Sequence, residues 1–209
     1  MARSVAKRPS RKSKIHLAGV EVGCPCHVCA FFGGADEAYS TLLPFLREGC
    51  AAGDHSVCLV DERRRGEDVA RFTREGIDVE AARADGRLEI ETWQGSYLQD
   101  GRFDQNTMLN CVQDMLGTGT RRGFDRSRIW GNMEWALLSV PGVHELAEYE
   151  SRLNYIVPLY GDVIVCAYDT TKFPAAVLAD VLRAHPYVLS NGRLTKNPDY
   201  VTPDCRLPA

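Results

Sequence analysis

The chain has 209 residues, a hydrophobic fraction of 44% and a formal net charge of -3 at pH 7. This length and apolar content suit one α/β domain with a substantial core. The negative charge and a pI of about 6.0 argue against a nucleic-acid-binding protein, because phosphate recognition needs a clustered basic surface.

The N-terminal segment is the exception to this charge balance. Residues 2–14 carry six Lys and Arg side chains among small and polar residues. No apolar run there is long enough to fold, to cross a membrane or to act as a secretory signal. We therefore expect residues 1–18 to be a basic, disordered tail and residues 19–209 to form one domain. We also expect a cytoplasmic protein with no membrane contact and no nucleic-acid contact outside this tail.

The most distinctive stretch is residues 23–37, which read Gly-Cys-Pro-Cys-His-Val-Cys-Ala-Phe-Phe-Gly-Gly-Ala-Asp-Glu. The apolar run over residues 27–32 predicts a buried strand, and Gly33-Gly34 predicts a turn into an amphipathic helix over residues 35–52. A strand, a turn and a helix start in this order place a ligand at the carboxyl end of a strand in open α/β sheets.

The rest of the chain alternates between strand and helix patterns. Apolar or alternating runs predict strands over residues 55–61, 88–93, 127–135 and 163–169. Amphipathic periodicity predicts helices near Phe72 and over residues 105–116, 143–159 and 174–184, and Asn191-Gly192 predicts a terminal hairpin. This order favours a three-layer α/β/α sandwich with a mostly parallel central sheet.

Three of the eight cysteines cluster beside a histidine, at Cys24, Cys26, His27 and Cys29. Thiolate and imidazole are ligands for zinc, iron or copper, so these residues are the candidate metal ligands, with zinc, iron or haem as the candidate cofactor. The spacing is tighter than in a zinc knuckle, and no second Cys/His pair follows at finger spacing. A redox dithiol at Cys26 and Cys29, or thiols with no special role, are the alternatives.

Polar and aromatic residues at the predicted strand ends supply the candidate ligand-binding site. Alternation along the strand over residues 127–135 would place Trp130, Asn132 and Glu134 on one face. Because the carboxyl ends of parallel strands share one edge, we expect a pocket there with soft donors and aromatic walls. The candidate ligand-binding residues are His27, Cys29, Phe31, Asp61, Asn132, Glu134, Trp135 and Tyr168.

Gly33-Gly34 follows the first predicted strand, where nucleotide-binding sheets have their phosphate-binding loop, but the residues that would bind a phosphate differ. The pattern Gly-x-x-x-x-Gly-Lys-Ser/Thr is absent, so no lysine or hydroxyl would meet phosphate and magnesium. Asp36 and Glu37 would also compete for the positive end of the helix. We therefore expect no working NTPase, and no nucleophile elbow indicates acyl transfer.

A series of short motifs runs along the folded part of the chain in a fixed order. They are His27-Val-Cys29-Ala-Phe31-Phe32, Leu43-Pro-Phe-Leu46, Gly53-Asp54, Val60-Asp-Glu62, Gly76-Ile-Asp78, Gly131-Asn-Met133-x-Trp135-Ala136, Tyr149-Glu150-x-x-Leu153-Asn154, Ala167-Tyr-Asp169 and His185-Pro186. Over roughly residues 27–203 this series resembles the MEDS domain, a sensory domain named for methanogens, methylotrophs and the dichloromethane repressor.

This resemblance implies a RecA/KaiC-like fold with a degenerate phosphate loop and a role in sensing small molecules, often hydrocarbon derivatives. The family's His-x-Cys corresponds to His27 and Cys29. The chain departs from the family where Asn132 replaces an expected glutamate and where Cys24 and Cys26 are additional.

Two functions follow from these observations. The first is a non-enzymatic regulatory domain that binds a small molecule at the carboxyl edge through the Cys/His cluster. With no helix-turn-helix, kinase or receiver segment recognisable, we expect its output to pass through a protein partner, with a homodimer as one assembly. The alternative is a metal- or haem-binding enzyme or redox protein that uses the cluster of Cys24 to Cys29.

Overall fold

Strands and helices alternate along most of the chain. The computed structural model describes residues 14–203. The strands are β1 (Ile15–Leu17), β2 (Val20–Val22), β3 (Cys26–Phe32), β4 (His55–Val60), β5 (Leu88–Thr92), β6 (Ser127–Asn132), β7 (Val163–Asp169), β8 (Tyr187–Ser190) and β9 (Arg193–Lys196). The α-helices are α1 (Ala35–Ala52), α2 (Arg65–Arg74), α3 (Val79–Ala84), α4 (Gln105–Arg121), α5 (Leu146–Tyr160) and α6 (Ala175–Arg183). Among these residues, no helix combines the length and apolarity that a membrane span requires.

The central sheet contains seven strands in the order β5-β4-β6-β7-β3-β8-β9. Every neighbouring pair is parallel except β8 and β9, which form the predicted terminal hairpin around Asn191 and Gly192. Helices cover both faces of the sheet. The predicted three-layer α/β/α sandwich with a mostly parallel sheet is therefore confirmed.

The sheet separates two apolar cores, because successive side chains of a strand point to opposite faces. On one side, Val28 and Val165 pack with residues of α1, α2 and α3; we call this side the α1 face. On the other side, Cys29 and Cys166 pack with residues of α4, α5 and α6; we call this side the α5 face. The two candidate sites described below both lie on the α5 face, at different ends of the strands.

An N-terminal hairpin of β1 and β2 is absent from the sequence prediction. Ile15 and Leu17 are buried in the core on the α1 face. The tail predicted over residues 1–18 therefore overlaps a packed strand at its end. Residues 1–13 and 204–209 lie outside the described residues, so the division between tail and domain stays a prediction.

β6 ends earlier than the strand predicted over residues 127–135. Asn132 closes the strand, and its side-chain oxygen accepts a hydrogen bond of 2.9 Å from the backbone N–H of Glu134. This cap starts a 3₁₀ turn over Met133–Leu137. Although the turn ends the two-residue alternation, Trp130, Asn132 and Glu134 all line one cleft at this edge of the sheet.

Helix α1 lies close to the sheet at Gly49. The buried Arg128 of β6 donates from Nε to Asp54 Oδ2 at 2.8 Å and from Nη1 to the Phe45 carbonyl at 2.9 Å. A Cβ on Gly49 would lie 2.7 Å from Ser56 Oγ and 2.8 Å from Arg128 Cδ. Only glycine therefore lets the helix approach this buried ion pair without displacing it.

We expect Gly49→Ala to lower the free energy of unfolding by about 1–3 kcal/mol, because the added methyl overpacks the contact with Arg128. The matched control is Gly66→Ala in α2, where an added Cβ meets nothing within 4 Å. That change should be neutral or stabilise by up to about 1 kcal/mol. Urea unfolding followed by circular dichroism measures both variants, and equal stabilities for the two would contradict the steric argument.

Candidate functional site

A group of polar side chains lies fully inside the α5 face. It contains His27 from β3, Glu150 from α5, Cys166 from β7 and His185 from the connection between α6 and β8. Each of these residues is at most 2% exposed. One potential ligand atom from each residue lies within 4.8 Å of those from all the others. We call this group the buried cluster.

The Glu150 carboxylate lies at the centre of the buried cluster. Its Oε2 atom is 3.3 Å from His27 Nε2, 3.4 Å from His185 Nε2 and 3.3 Å from Cys166 Sγ. The Cys166 sulfur is also 3.5 Å from His27 Nε2. Oxygen, nitrogen and sulfur therefore converge on one point that water does not reach.

The second nitrogen of each imidazole is fixed by an acceptor. His185 Nδ1 lies 2.7 Å from the Val181 carbonyl, which can only accept, so Nδ1 carries a proton. His27 Nδ1 lies 3.1 Å from Asn154 Oδ1. The Asn154 amide nitrogen donates to the Ala184 carbonyl at 2.7 Å, so the amide oxygen faces His27 and accepts. In their neutral forms, both histidines would direct the Nε2 lone pair at Glu150.

Burial and the charges of neighbouring groups shift the pKa values of the ionisable groups in the buried cluster. Burial would raise the pKa of Glu150, but His185 and His27 beside it bring that pKa well below the usual range. Burial and the adjacent His185 lower the pKa of His27. Burial opposes the charged form of His185, yet Cys29 and Glu150 raise its pKa well above 6.5. Without any added ion, the carboxylate is therefore balanced by an imidazolium at His185.

Tyr168 connects the buried cluster to the carboxyl end of the sheet. Its hydroxyl donates to Glu150 Oε1 at 2.5 Å. Its ring packs edge-on against Phe173, with the ring centroids 5.2 Å apart. Phe173 follows β7 and lines a cavity described below. One side chain therefore contacts both the buried carboxylate and the wall of that cavity.

The structure divides the cysteines and histidine that the sequence predicts as metal ligands. His27 and Cys29 face α5, whereas Cys26 lies in the core of the α1 face and Cys24 is exposed. Residues 26 and 27 are neighbours on a strand, so they cannot share a face. Burial raises the pKa of the Cys26 thiol to about 12 and also raises that of Cys166, so the opposite faces of the strand, and not thiol ionisation, separate Cys26 from His27. The segment of Cys24 to Cys29 therefore does not form one four-ligand site.

The position of His27 along its strand also differs from the sequence prediction. β3 begins at Cys26 and ends at Phe32, so His27 lies at the amino end of the strand. The pocket predicted at the carboxyl edge therefore cannot include it directly. Cys29 lies in the middle of the strand, fully buried, and pairs in register with Cys166.

The predicted phosphate-loop position is closed by the chain itself. The backbone N–H of Gly33 donates to Glu37 Oε2 at 2.6 Å, so a side chain takes the place that an anion would occupy. Beside it, Asn132, Glu134 and Tyr168 line a narrow cleft of about 20 Å³. That volume holds about one water molecule and is far below the ~300 Å³ of small ligand pockets.

Three other residues that the sequence predicts as ligand-binding, Asp61, Trp135 and Phe31, contact neighbouring side chains of the domain. Asp61 caps a short helical turn and binds Arg63 at 2.7 Å. Trp135 is wholly buried and stacks on Tyr97, with ring centroids 4.7 Å apart. Phe31 is half-buried on the α5 face, with its ring 6.2 Å from that of Tyr168. Of these three, Phe31 is the one whose ring lies beside Tyr168, the residue that donates to Glu150.

A larger cavity of about 330 Å³ opens at the carboxyl edge of the sheet, on the α5 face. We call it the edge cavity. Its walls come from the turn after β6, the start of α5 and the start of α6, and nine of its lining residues are Ala136, Leu137, Val143, Leu146, Ala147, Phe173, Pro174, Val177 and Val181. The remaining lining residues are His144 and Asp180. This is the composition of a pocket for a small, mostly apolar molecule with a few polar groups at its rim.

Glu150, Cys166 and His185 were not among the predicted site residues, although the sequence contains a signal for one of them. Leu146, Tyr149, Leu153 and Val157 form the buried stripe of α5, and Glu150 falls within that stripe. A carboxylate in an apolar stripe indicates a buried partner. Cys166, within an apolar strand, is predicted to be a small buried hydrophobic residue, and His185 enters the sequence analysis only through the His185-Pro186 motif, without a role in the site.

Comparisons with known proteins agree with the fold. A family model described as "MEDS: MEthanogen/methylotroph, DcmR Sensory domain" matches residues 26–186. The transcriptional repressor DcmR of Methylorubrum extorquens (strain DSM 6343 / CIP 106787 / DM4) is 28% identical over 176 residues, which cover 83% of this chain and 63% of the repressor. The chain thus spans less than two thirds of that relative's length.

A solved structure extends the comparison to the architecture. The KaiC-like protein of the hyperthermophilic archaeon Pyrococcus horikoshii OT3 has a TM-score of 0.56 and 16% sequence identity, over 78% of this chain and 70% of that one. At this identity the likeness concerns the fold alone. The predicted RecA/KaiC-like architecture is confirmed.

We expect Tyr168→Phe to lower the free energy of unfolding by about 1.5–3 kcal/mol, because the buried Glu150 carboxylate loses a charge-assisted donor. The control is Tyr97→Phe, whose equally buried hydroxyl donates to the neutral Met133 sulfur at 3.5 Å. Tyr97→Phe should lower the free energy of unfolding by about 1 kcal/mol or less. Chemical denaturation compares the two, and equal losses would show that Glu150 does not depend on Tyr168.

Proposed function

Because the chain belongs to the MEDS family of sensory domains, we propose that it senses a small, largely apolar molecule bound in the edge cavity and regulates a partner according to occupancy. A regulatory sensing role is supported by the family and by the similarity to a transcriptional repressor. The observation that carries the ligand class is the edge cavity itself, with about 330 Å³ of space and a mainly apolar wall. That volume is at the lower end of the range for small-molecule sites.

The walls of the edge cavity favour hydrocarbon derivatives over charged metabolites. A bound apolar molecule would remove Leu137, which is 38% exposed, and its neighbours from water. The resulting gain is about 25 cal/mol for each Å² of apolar surface buried. His144 and Asp180 at the rim would orient one polar substituent of the ligand by a hydrogen bond.

A salt bridge joins two walls of the edge cavity. Lys172, next to Phe173, binds Glu134 at 2.8 Å and Asp169 at 3.4 Å. Glu134 belongs to the turn that also carries Ala136 and Leu137. In this proposal, Glu134 holds the walls together instead of contacting the ligand.

In this proposal, Tyr168 and His27, which the sequence predicts as direct ligand contacts, do not touch the ligand but are linked to the edge cavity through other side chains. Phe173 lines the edge cavity and packs on Tyr168, and Tyr168 donates to Glu150, which contacts His27. A ligand that displaces Phe173 would therefore disturb the hydrogen bond to the buried carboxylate. The interior of the domain would change with occupancy, as sensing requires.

The proposal also includes how the signal is passed on. A protein partner would bind the domain differently when the edge cavity is occupied. The domain would be cytoplasmic and would act alone or as a homodimer. Leu159 of α5 and Val201 are 56% and 60% exposed and offer apolar surface for such a contact. The protein partner, the homodimer and the cytoplasmic location are predictions.

Binding of benzene, dichloromethane and 1-hexanol, measured by isothermal titration and thermal shift, tests the proposal. We expect saturable binding of at least one probe and a melting temperature that rises with its concentration, because a ligand of the folded state stabilises it by mass action. Val177→Phe, which places a ring in the edge cavity, should weaken that binding at least tenfold.

The control is Leu159→Phe, which adds the same ring at an exposed position of α5 away from the cavity. The Leu159→Phe variant should bind the probe with the same affinity as the unmodified chain. If no probe saturates, or if Val177→Phe binds as well as Leu159→Phe, the edge cavity is not the sensing site.

A further inference from the structure

The geometry of the buried cluster points to a metal site, and we propose that His27 Nε2, His185 Nε2, Glu150 Oε2 and Cys166 Sγ bind one divalent d-block cation of the zinc class. The proposal concerns a different site from the edge cavity and does not depend on a ligand being bound there. It also differs from the set of Cys24, Cys26, His27 and Cys29 that sequence spacing predicts.

Four of the six separations between the donor atoms match a tetrahedral site, and the other two are within 4.8 Å. With Zn–N and Zn–O of about 2.0–2.1 Å and Zn–S of about 2.3 Å, neighbouring donors of a tetrahedron are about 3.3–3.6 Å apart. Four of the six donor separations are known here, at 3.3, 3.4, 3.3 and 3.5 Å. The atoms are therefore already spaced for a cation between them.

The hydrogen bonds around the cluster are those of metal-binding histidines. A ligating imidazole usually donates its other N–H to an oxygen, which fixes its tautomer and its orientation. His27 Nδ1 donates to Asn154 Oδ1, and His185 Nδ1 donates to the Val181 carbonyl. Both Nε2 atoms are thereby directed at Glu150.

The contact between His185 and Glu150 is a poor hydrogen bond. His185 Nε2 is fully buried and makes no contact with hydrogen-bond geometry among the described residues. It faces Glu150 Oε2 at 3.4 Å, longer than a charge-assisted hydrogen bond of about 2.7–2.9 Å. A cation between the two atoms would coordinate both at this separation.

The charge of the donor set fits a divalent ion. Glu150 as a carboxylate and Cys166 as a thiolate supply two negative charges, and the histidines bind as neutral ligands. Loading would release the Cys166 thiol proton and the Nε2 proton of His185 to solvent and leave a neutral centre, which a buried position favours. Mixed sulfur, nitrogen and oxygen donors in a tetrahedral arrangement suit zinc.

The site would be structural. Four protein donors complete a tetrahedral shell and leave no position for a substrate, and the second oxygen of Glu150 accepts from Tyr168. The ligands come from β3, α5, β7 and the α6–β8 connection. One ion would therefore tie four separate elements together on the α5 face.

Metal analysis of the full chain, purified without chelators, tests this site. We expect about one zinc per chain, or one Co²⁺ per chain after reconstitution, with the intense visible bands of tetrahedral cobalt and a sulfur-to-cobalt charge-transfer band. Cys166→Ser should abolish the charge-transfer band and weaken Co²⁺ binding at least tenfold. Asn154→Ala, which removes only the oxygen partner of His27, should weaken binding by about 10–100-fold while the charge-transfer band remains.

Two controls locate the site. Cys58→Ser removes a fully buried thiol on the α1 face and should keep both the cobalt spectrum and the affinity. The double variant Cys24→Ser/Cys26→Ser should also keep both. If the folded full chain neither contains nor takes up a stoichiometric metal, or if the double variant loses the spectrum while Cys166→Ser keeps it, the proposed ligand set is wrong.

Discussion

The buried carboxylate of Glu150 is the constraint on which the arrangement of the α5 face depends. A carboxylate with no exposed surface is costly unless charges and hydrogen bonds surround it. Here two histidines, a thiol and a tyrosine hydroxyl meet it from β3, β7 and the α6–β8 connection. Because each of these groups is fixed in turn, the carboxylate sets the position of α5 on the sheet.

The fold places two different kinds of site on this face, one at each end of the strands. The buried cluster occupies the amino half of β3, where donors converge and water is excluded. The edge cavity occupies the carboxyl end, where the turn after β6 and the starts of α5 and α6 form the walls. Tyr168 connects the two through a ring contact with Phe173 and a hydrogen bond to Glu150. In the proposed function, this short, packed path would couple occupancy of the edge cavity to order in the buried cluster.

The sequence predicts the fold well and the site poorly, and the reason is the range of the interactions. Val163–Asp169 and Ala35–Ala52 follow from apolar runs and helical periodicity, which are local signals. The cysteine cluster is also a local signal, yet Cys26 and His27 point to opposite faces of one strand. Cys166 and His185 are 139 and 158 positions from His27 by number, so no spacing rule relates them. Parallel pairing of β3 with β7 and β8 brings them together.

The closed phosphate loop explains why binding on this sheet would use the α5 face. Glu37 takes the Gly33 N–H on the α1 side, and the adjoining cleft holds about 20 Å³. The edge cavity is lined instead by the turn after β6 and the starts of α5 and α6, mostly with apolar side chains, which fits the apolar guest that we propose. Glu134 after β6 and Lys172 beside Phe173 form a salt bridge of 2.8 Å next to this cavity.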